Sequence, residues 1–285
     1  MKQFFLFILF ALPFSVTVGC NKSSSTDDHL RPLLKEKQFN LLFPHRDKVF
    51  SYKGLQQAAL KFPLFLAEGD EQMRKNELAA FLAIVAQETT GGWPEAPGGP
   101  LTWGLVFKEE QACVKVDCPV YNSPGRSDFI AAPGKNYHGR GALQISYLYN
   151  YGEAGKDLDL PLVAQPELLS EDPVVAFESA IWFWMRKQNN KPSCHEVMTG
   201  GFKPSAEDEA LNRKPGFGMV INVVNGGVEC GKDRTPDAAS KAAGRIAFYK
   251  YFTTSLHITP DADCDCATMG IYIMSEQAPL PPKKP

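Results

Sequence analysis

Residues 76–93, which read NELAAFLAIVAQETTGGW, join an apolar repeat to an abrupt polar end. The large apolar side chains of the repeat recur at helical spacing, at Leu78, Phe81, Leu82 and Val85. Asn76 precedes them and belongs to the residue types that cap helix starts. The stretch therefore predicts a buried helix that is capped by Asn76 and runs into Glu88, where a glycine turn follows.

Three further segments carry helix signals. Asp172 with Pro173 is a cap followed by proline at the first helical position. Residues 218–225 are apolar and stop at a glycine pair, and Thr235 with Pro236 opens a last helix. Strand signals are few, and the chain contains 22 prolines and 23 glycines. We therefore expect a mainly α fold of the α+β class, with long irregular connections.

The composition excludes several classes of protein. The chain has 285 residues, of which 44% are hydrophobic and 22% are charged, as in an ordinary soluble globular protein. A formal charge of −2 gives no electrostatic reason to expect a nucleic-acid partner. No apolar run reaches the roughly 18 to 20 residues that span a bilayer, so the sequence predicts no integral membrane protein.

The N-terminus resembles a secretory signal over residues 1–19, with Lys2 ahead of a short apolar run. Cys20 follows a small residue and precedes a serine-rich stretch, which resembles the cleavage box of bacterial lipoproteins. We therefore expect a secreted or cell-surface protein that is anchored to a membrane through lipid on Cys20. Plain secretion with an incidental Cys20 is the alternative. Residues 20–32 would form a polar tether, 33–268 the globular domain and 269–285 a flexible, proline-rich tail.

Cysteine usage agrees with an oxidising compartment. Six cysteines remain when Cys20 is set aside: Cys113, Cys118, Cys194, Cys230, Cys264 and Cys266. An even number behind a signal peptide indicates disulfides, and the sequence alone does not choose among the pairings. A zinc site is the rival interpretation, but no matching histidine pair accompanies these spacings. We expect neither a metal nor a cofactor.

Acidic residues and an aromatic, amide-rich segment are the candidates for chemistry. Glu88 ends an apolar helix, where partial desolvation favours the protonated form that a general acid needs; a plain surface glutamate is the alternative. Glu109 and Glu110 form a second acidic pair, and two carboxyl groups across a cleft are the minimum for glycoside hydrolysis. Residues 136–151 combine glycines, tyrosines and amides that suit sugar rings.

Five segments in order resemble the plant-type family 19 chitinases, over about residues 35–265. They are QETTGGW (87–93), YHGRGALQISYLYNY (137–151), IWFWM (181–185), PGFG (215–218) and VNGGVECG (224–231). The resemblance implies a lysozyme-like, two-lobed helical fold with a deep substrate cleft. It also implies endo-cleavage of β-1,4-linked N-acetylglucosamine polymers with inversion at the anomeric carbon.

The resemblance also assigns roles to residues. Glu88 corresponds to the general acid, and Glu110, rather than Glu109, corresponds to the general base. The number of positions from acid to base in the family equals the number from Glu88 to Glu110. Ser146 corresponds to a serine that holds the attacking water. The positions that would contact substrate are Thr90, Trp103, Gln144, Tyr149, Asn150, Lys191 and Asn225. Glu229 and Arg245 match a charged network that supports the catalytic carboxyl groups.

The chain departs from the family pattern at three positions. Gln87 replaces the usual histidine before the acid, and His138 replaces a common tyrosine. The resemblance therefore does not determine the pH optimum of the enzyme. Val106 replaces a disulfide cysteine of the plant proteins. We expect three disulfides. Cys113 would pair with Cys118, Cys230 with Cys264 or Cys266, and Cys194 with the remaining C-terminal cysteine.

Two other functions are consistent with this scaffold. Peptidoglycan also contains β-1,4-linked N-acetylated sugars, but the loop at residues 215–218 favours chitin. A non-catalytic sugar-binding protein would not need to keep Glu88, Glu110 and Ser146. The sequence therefore favours an active chitinase, expected to be a monomer that binds chitin or chito-oligosaccharides and no nucleic acid.

Overall fold

The computed structural model describes residues 28–123, 128–188 and 190–272. Eleven α-helices lie within these residues: α1 Leu30–Leu33, α2 Glu36–Leu42, α3 Tyr52–Ala59, α4 Glu71–Glu88, α5 Leu148–Leu158, α6 Leu168–Glu171, α7 Pro173–Met185, α8 Cys194–Met198, α9 Ala206–Ala210, α10 Phe217–Glu229 and α11 Pro236–Ser255. Three short 3₁₀ helices lie at Pro100–Thr102, Gln111–Cys113 and Pro119–Asn122. Extended pairing in this part of the chain is limited to isolated bridges. The mainly α fold is therefore confirmed.

Helix α4 is the centre of the core. Its residues from 77 to 86 are all buried, because the helix is enclosed on every side rather than amphipathic. The long helix α11 packs along it, and α8 and α10 also contact it. Phe248 and Phe252 of α11 belong to the same apolar core. Since α4 ends at Glu88, a helix at the centre of the core carries a carboxyl group at its end.

A second packing unit joins α3 and α7. The side chain of Asp172 accepts hydrogen bonds from the amides of Val174 and Val175, at 2.7 Å and 3.1 Å, so the predicted cap of α7 is confirmed. Gly54 of α3 lies against the Pro173 carbonyl, where any Cβ atom would overlap the backbone. The contact between these two helices therefore depends on glycine.

Two predicted helix boundaries are wrong. Asp70, not Asn76, caps α4, and Asn76 lies inside the helix, where its amide donates to Asp261 at 2.8 Å. Helix α10 does not stop at the glycine pair; it continues to Glu229 across a kink at Asn225, whose φ is −145°. The predicted cap of α11 by Thr235 is confirmed, since its side chain accepts from the amide of Ala238.

The packed chain also extends past the predicted domain limits. Leu30 is fully buried, and Met269 and Tyr272 belong to the core, so the predicted ends at 33 and 268 fall within packed structure. The predicted signal segment, Cys20 and the proline-rich part of the tail lie outside the described residues. None of the described helices is long and apolar enough to cross a membrane.

The disulfide expectations are partly right. Cys113 is bonded to Cys118, and Cys230 is bonded to Cys266. The expected third bridge is wrong, because Cys194 and Cys264 are both buried free thiols. Burial raises the pKa of Cys264 to about 11, so this thiol stays protonated and inert at neutral pH.

A buried ionic network joins α8 to α4. The carboxylate of Glu77, which is fully buried, accepts from the Trp184 indole at 3.0 Å and contacts His195 Nδ1 at 2.7 Å. His195 Nε2 lies 2.9 Å from Glu68. Carboxylates only accept hydrogen bonds, so both ring nitrogens of His195 donate and the ring is an imidazolium. Burial opposes that charge, but Glu77 and Glu68 outweigh it and raise the pKa of His195.

This network predicts a pH-dependent contribution to stability. Because the folded pKa of His195 is raised, its stabilisation is complete below the unfolded value of about 6.5 and is lost as the pH rises through the folded value. The variant His195→Gln should lower the free energy of unfolding by about 3 kcal/mol at about pH 6, and by less at about pH 9. Urea unfolding at both pH values measures this. Lys75→Gln, which removes the partner of the exposed Glu71, is the control and should show no such pH dependence.

The bridges predict a thiol count. Protein spanning residues 21–285 contains all the cysteines except Cys20. Because Cys194 and Cys264 are free, the unfolded and unreduced chain should react with two equivalents of a thiol reagent. Finding no reactive thiol would show that a third bridge forms.

Candidate active site

The C-terminal end of α4 is fastened to the loop that follows it. The hydroxyl of Thr89 donates to the Val85 carbonyl at 2.6 Å and accepts from the Leu105 amide at 2.8 Å. The Thr89 carbonyl accepts from the amides of Val106 and Phe107, at 3.0 Å and 2.9 Å. The segment that leads toward Glu110 is therefore hydrogen-bonded to the turn directly after Glu88.

A buried arginine connects Glu88 to Glu229. Arg245 Nη2 lies 2.6 Å from Glu88 Oε1 and 2.8 Å from Glu229 Oε1, and its Nε lies 2.8 Å from Glu229 Oε2. The Arg245 and Glu229 side chains are 3% and 1% exposed, while that of Glu88 is 21% exposed. The Asn225 amide donates to Glu229 at 2.7 Å. The structure thus brings together four of the predicted site residues.

Electrostatics keep this arginine charged. Burial disfavours the guanidinium charge, but the carboxylates of Glu88 and Glu229 outweigh it and raise the pKa of Arg245. Glu229 makes two of the three contacts and Glu88 makes one, so the two carboxyl groups share a single guanidinium.

Glu110 lies three residues before a short loop that a disulfide closes. Its amide donates to the Gly139 carbonyl at 2.8 Å, and its Oε1 accepts from the Tyr121 hydroxyl at 3.0 Å. The bridge between Cys113 and Cys118 folds the chain back so that Tyr121 reaches Glu110. Burial and then the hydrogen bond to Glu110 raise the pKa of Tyr121, which keeps the phenol a hydrogen-bond donor.

The neighbouring Glu109 has different partners. Its Oε2 lies 3.3 Å from His138 Nε2 and 3.4 Å from Arg140 Nε. Burial, together with the charge of Arg140, lowers the pKa of His138 despite the nearby glutamates. His138 is therefore neutral at neutral pH, and Glu109 is paired with a cation while Glu110 is not.

The predicted polar residues of 137–151 gather beside Glu110. A Cβ atom placed on Gly139 would lie 3.2 Å from Ser146 Oγ and 3.1 Å from Gln144 Oε1, so both side chains adjoin the residue that binds the Glu110 amide. The Asn150 amide donates to the Ser146 carbonyl at 2.9 Å. Gln144 has a φ of 52°, a strained backbone conformation of the kind that clusters at functional sites.

Aromatic rings border both carboxyl groups. Tyr147 packs edge-on against Tyr121 and is stacked on Tyr149, with ring centroids 5.0 Å and 5.8 Å apart. Near Glu88, Trp103 is stacked on His45 at 3.9 Å and lies 5.0 Å from Trp93. The Thr90 hydroxyl donates to the Trp103 carbonyl at 3.3 Å. Sugar rings present apolar faces that pack on such rings.

Lys191 reaches the same helix as Asn225. Its ammonium donates to the Val223 carbonyl of α10 at 3.1 Å. Burial lowers the pKa of Lys191 from its ordinary value. The predicted substrate contacts at Lys191 and Asn225 are therefore joined through α10.

The sequence interpretation missed two residues. Tyr121, the hydrogen-bond donor to Glu110, has no motif of its own; the nearby cysteine pair was its only signal. Trp93 was included in a motif but not among the substrate contacts, although it is 45% exposed beside Trp103. No cluster of residues that could hold a metal ion occurs within residues 28–123, 128–188 and 190–272.

Two acidic groups of this kind, on different elements and surrounded by aromatic and amide side chains, can perform acid–base hydrolysis of a sugar polymer. The sequence model of family 19 glycoside hydrolases, described as class I chitinase, matches residues 33–266.

Known proteins resemble this chain over most of its length. It is 43% identical to acidic endochitinase WIN6 of Populus trichocarpa, over 84% of this chain and 70% of that protein. It is 41% identical to a basic endochitinase of Vitis vinifera, over 87% and 78%. The crystal structure of chitinase C from Streptomyces griseus HUT6037 superposes with a TM-score of 0.65 at 30% identity, covering 82% of this chain and 80% of that one. The lysozyme-like fold is thereby confirmed, and the chain belongs to the family 19 glycoside hydrolases.

Proposed function

We propose that this glycoside hydrolase is an endo-acting chitinase that cleaves β-1,4-linked N-acetylglucosamine polymers with inversion at the anomeric carbon. Two relatives quoted above are named endochitinases. The observation that carries the mechanism is the unequal pairing of two carboxyl groups. Glu88 shares a buried arginine with Glu229, whereas Glu110 accepts a hydrogen bond from a neutral phenol.

Glu88 is the general acid in this proposal. It gives its proton to the glycosidic oxygen as the bond from that oxygen to the anomeric carbon breaks. Its position at the end of a helix whose residues 77–86 are all buried fixes the carboxyl group, and fixed geometry is a large part of catalysis by positioned groups. Glu229 and Arg245 act as positioning residues for it.

Glu110 is the general base. It removes a proton from a water that attacks the anomeric carbon on the face opposite the leaving oxygen, which produces the α-anomer. Glu109 suits this task less well, because His138 and Arg140 already occupy its carboxylate. Ser146, which adjoins Gly139, is the proposed second ligand of the attacking water.

Substrate would contact the polar and aromatic residues around these groups. The proposed contacts are Thr90, Trp103, Gln144, Tyr149, Asn150, Lys191 and Asn225. Amide and hydroxyl groups suit the hydroxyl and acetamido edges of the sugars, and the rings suit their apolar faces. A neutral N-acetylglucosamine polymer matches a site in which the buried arginine is already paired with carboxyl groups of the protein.

Secretion and lipid anchoring remain proposals from the sequence. The two disulfides are consistent with folding in an oxidising compartment. We propose a signal peptide over residues 1–19, a tether after Cys20 and a monomeric catalytic domain.

Activity on chitohexaose tests the proposed reaction. Protein spanning residues 21–285 should cleave chitohexaose and release α-anomeric products, which NMR of the fresh products detects. Glu88→Gln and Glu110→Gln should each lower kcat by about 10³-fold, the contribution of a positioned acid or base. Glu95→Gln, an exposed glutamate in the same loop as Trp93, is the matched control and should keep full activity.

Other outcomes of this experiment would contradict the mechanism, the assigned base or the substrate. Release of β-anomers would contradict inversion, and full activity of Glu110→Gln would remove Glu110 as the base. An enzyme that leaves chitohexaose intact but cleaves peptidoglycan would be a peptidoglycan hydrolase. Binding of either polymer without cleavage would indicate a sugar-binding protein.

Glu229→Gln tests the positioning of the acid. Arg245 loses the ion pair that fixes its guanidinium, so the group that holds Glu88 is no longer fixed. The value of kcat should therefore fall by about tenfold, with KM changed by less than about twofold. An unchanged kcat, measured on protein whose thermal unfolding shows it to be folded, would contradict this positioning role.

A further inference from the structure

We propose that Glu109 and His138 are positioning residues for Glu110, and that the contact between them holds the Glu110 carboxyl group against Tyr121. This inference rests on the proposed role of Glu110 as general base. It gives a function to two side chains that touch neither the acid nor the proposed substrate contacts.

Backbone contacts hold Glu109 and Glu110 to the segment around Gly139. The Glu110 amide donates to the Gly139 carbonyl at 2.8 Å, and Glu109 forms an antiparallel bridge with Arg140. The side chain of Glu109 contacts His138 and Arg140, the two residues on either side of Gly139. The dipeptide of Glu109 and Glu110 is therefore held to residues 138–140 by its backbone and by one side chain.

The side chains of Glu109 and Glu110 leave the chain in different directions. Glu110 has extended backbone angles, with φ −63° and ψ 112°, so neighbouring side chains leave the chain on opposite sides. The Glu109 carboxylate contacts His138 and Arg140. The Glu110 carboxylate accepts from the Tyr121 hydroxyl at Oε1 and, at 3.5 Å, from the Gly139 amide at Oε2. A rotation of the chain that released Glu109 would turn Glu110 away from Tyr121, because both side chains are attached to the same peptide unit.

A hydrogen bond to its carbonyl holds the backbone of His138. It is 3% exposed, and its carbonyl accepts from the Tyr151 hydroxyl at 2.6 Å. The same hydroxyl accepts from Arg140 Nη1 at 3.1 Å. The backbone of His138 is thus held in place. The neutral ring donates from Nε2 to Glu109, while its buried Nδ1 has no hydrogen-bond partner among the residues that the structure describes.

A cavity of about 340 Å³ lies on the Glu109 side of this contact. The charged or titratable groups that line it are Glu109, Lys115, Asp117, Lys135, His138, Arg140 and Glu167. Lys135 and Glu167 pair with each other at 3.0 Å, so they add little field at His138. Glu109, Glu110 and Arg140 are the charges that act on His138. Open space behind Glu109 means that this side chain is held by His138 and Arg140 rather than by close packing.

The test breaks the contact from each side. Glu109→Ala and His138→Phe should each lower kcat on chitohexaose by about tenfold, since small misplacements of a catalytic group have large effects, and should change KM by less than about twofold. The double variant should lose no more than the worse single variant, because both changes remove one interaction. His138→Gln, whose amide can donate to Glu109, should recover most of the activity.

Glu68→Ala is the matched control. It removes a carboxylate from a histidine, His195, that is remote in sequence from Glu110, and it should leave kcat unchanged. Multiplicative losses in the double variant, no recovery in His138→Gln, or unchanged kcat in either single variant would overturn the inference.

A crystal structure of Glu109→Ala separates this inference from the proposed function, because it needs no activity. The hydrogen bond between Tyr121 and Glu110 should be lost in the variant. If that bond persists, the inference is wrong even where the enzyme is inactive. If it is lost while Glu110→Gln remains fully active, the positioning is right and the assignment of the base is wrong.

Discussion

The ion pairs of Arg245 are the constraint on which the arrangement of this protein depends. A buried guanidinium without partners would cost several kcal/mol, so it is tolerated only where carboxylates meet it. Glu88 comes from the end of α4, Glu229 from the end of α10, and Arg245 from α11. The three helices must therefore converge at one point. The apolar burial of α4 supplies the rigid environment in which this convergence is possible.

Glu110 is held by a different physical means. It lies outside regular structure, and it is fixed by a backbone hydrogen bond to Gly139, a phenol and a short disulfide loop. Contacts of this kind depend on a few groups, whereas a core helix depends on many. The position of Glu88 thus depends on the core helix that carries it, and the position of Glu110 depends on its immediate neighbours.

Much of the fold could be predicted from local patterns. The apolar period located α4, and Asp172 and Thr235 capped their helices as expected, because a cap needs only residues within one turn. Asn76 was misjudged for a non-local reason. The first turn of α4 is polar and shows no period, and the Asn76 amide is used by Asp261, far along the chain. The predicted disulfide of Cys194 was wrong for a similar reason. A disulfide needs two cysteines that are close in space, and their spacing in the sequence does not show this.

The same distinction separates what the sequence could say of the site from what it could not. Motifs indicated Glu88, Ser146 and Glu229 because each lies within a recognisable local segment. Glu109 and Glu110 are chemically identical neighbours, and composition cannot tell them apart. They differ because an extended chain sends them to opposite sides, where one meets Arg140 and the other meets Tyr121. The chemistry of each carboxyl group is therefore set by the side of the chain on which it lies, and that side is determined by folding.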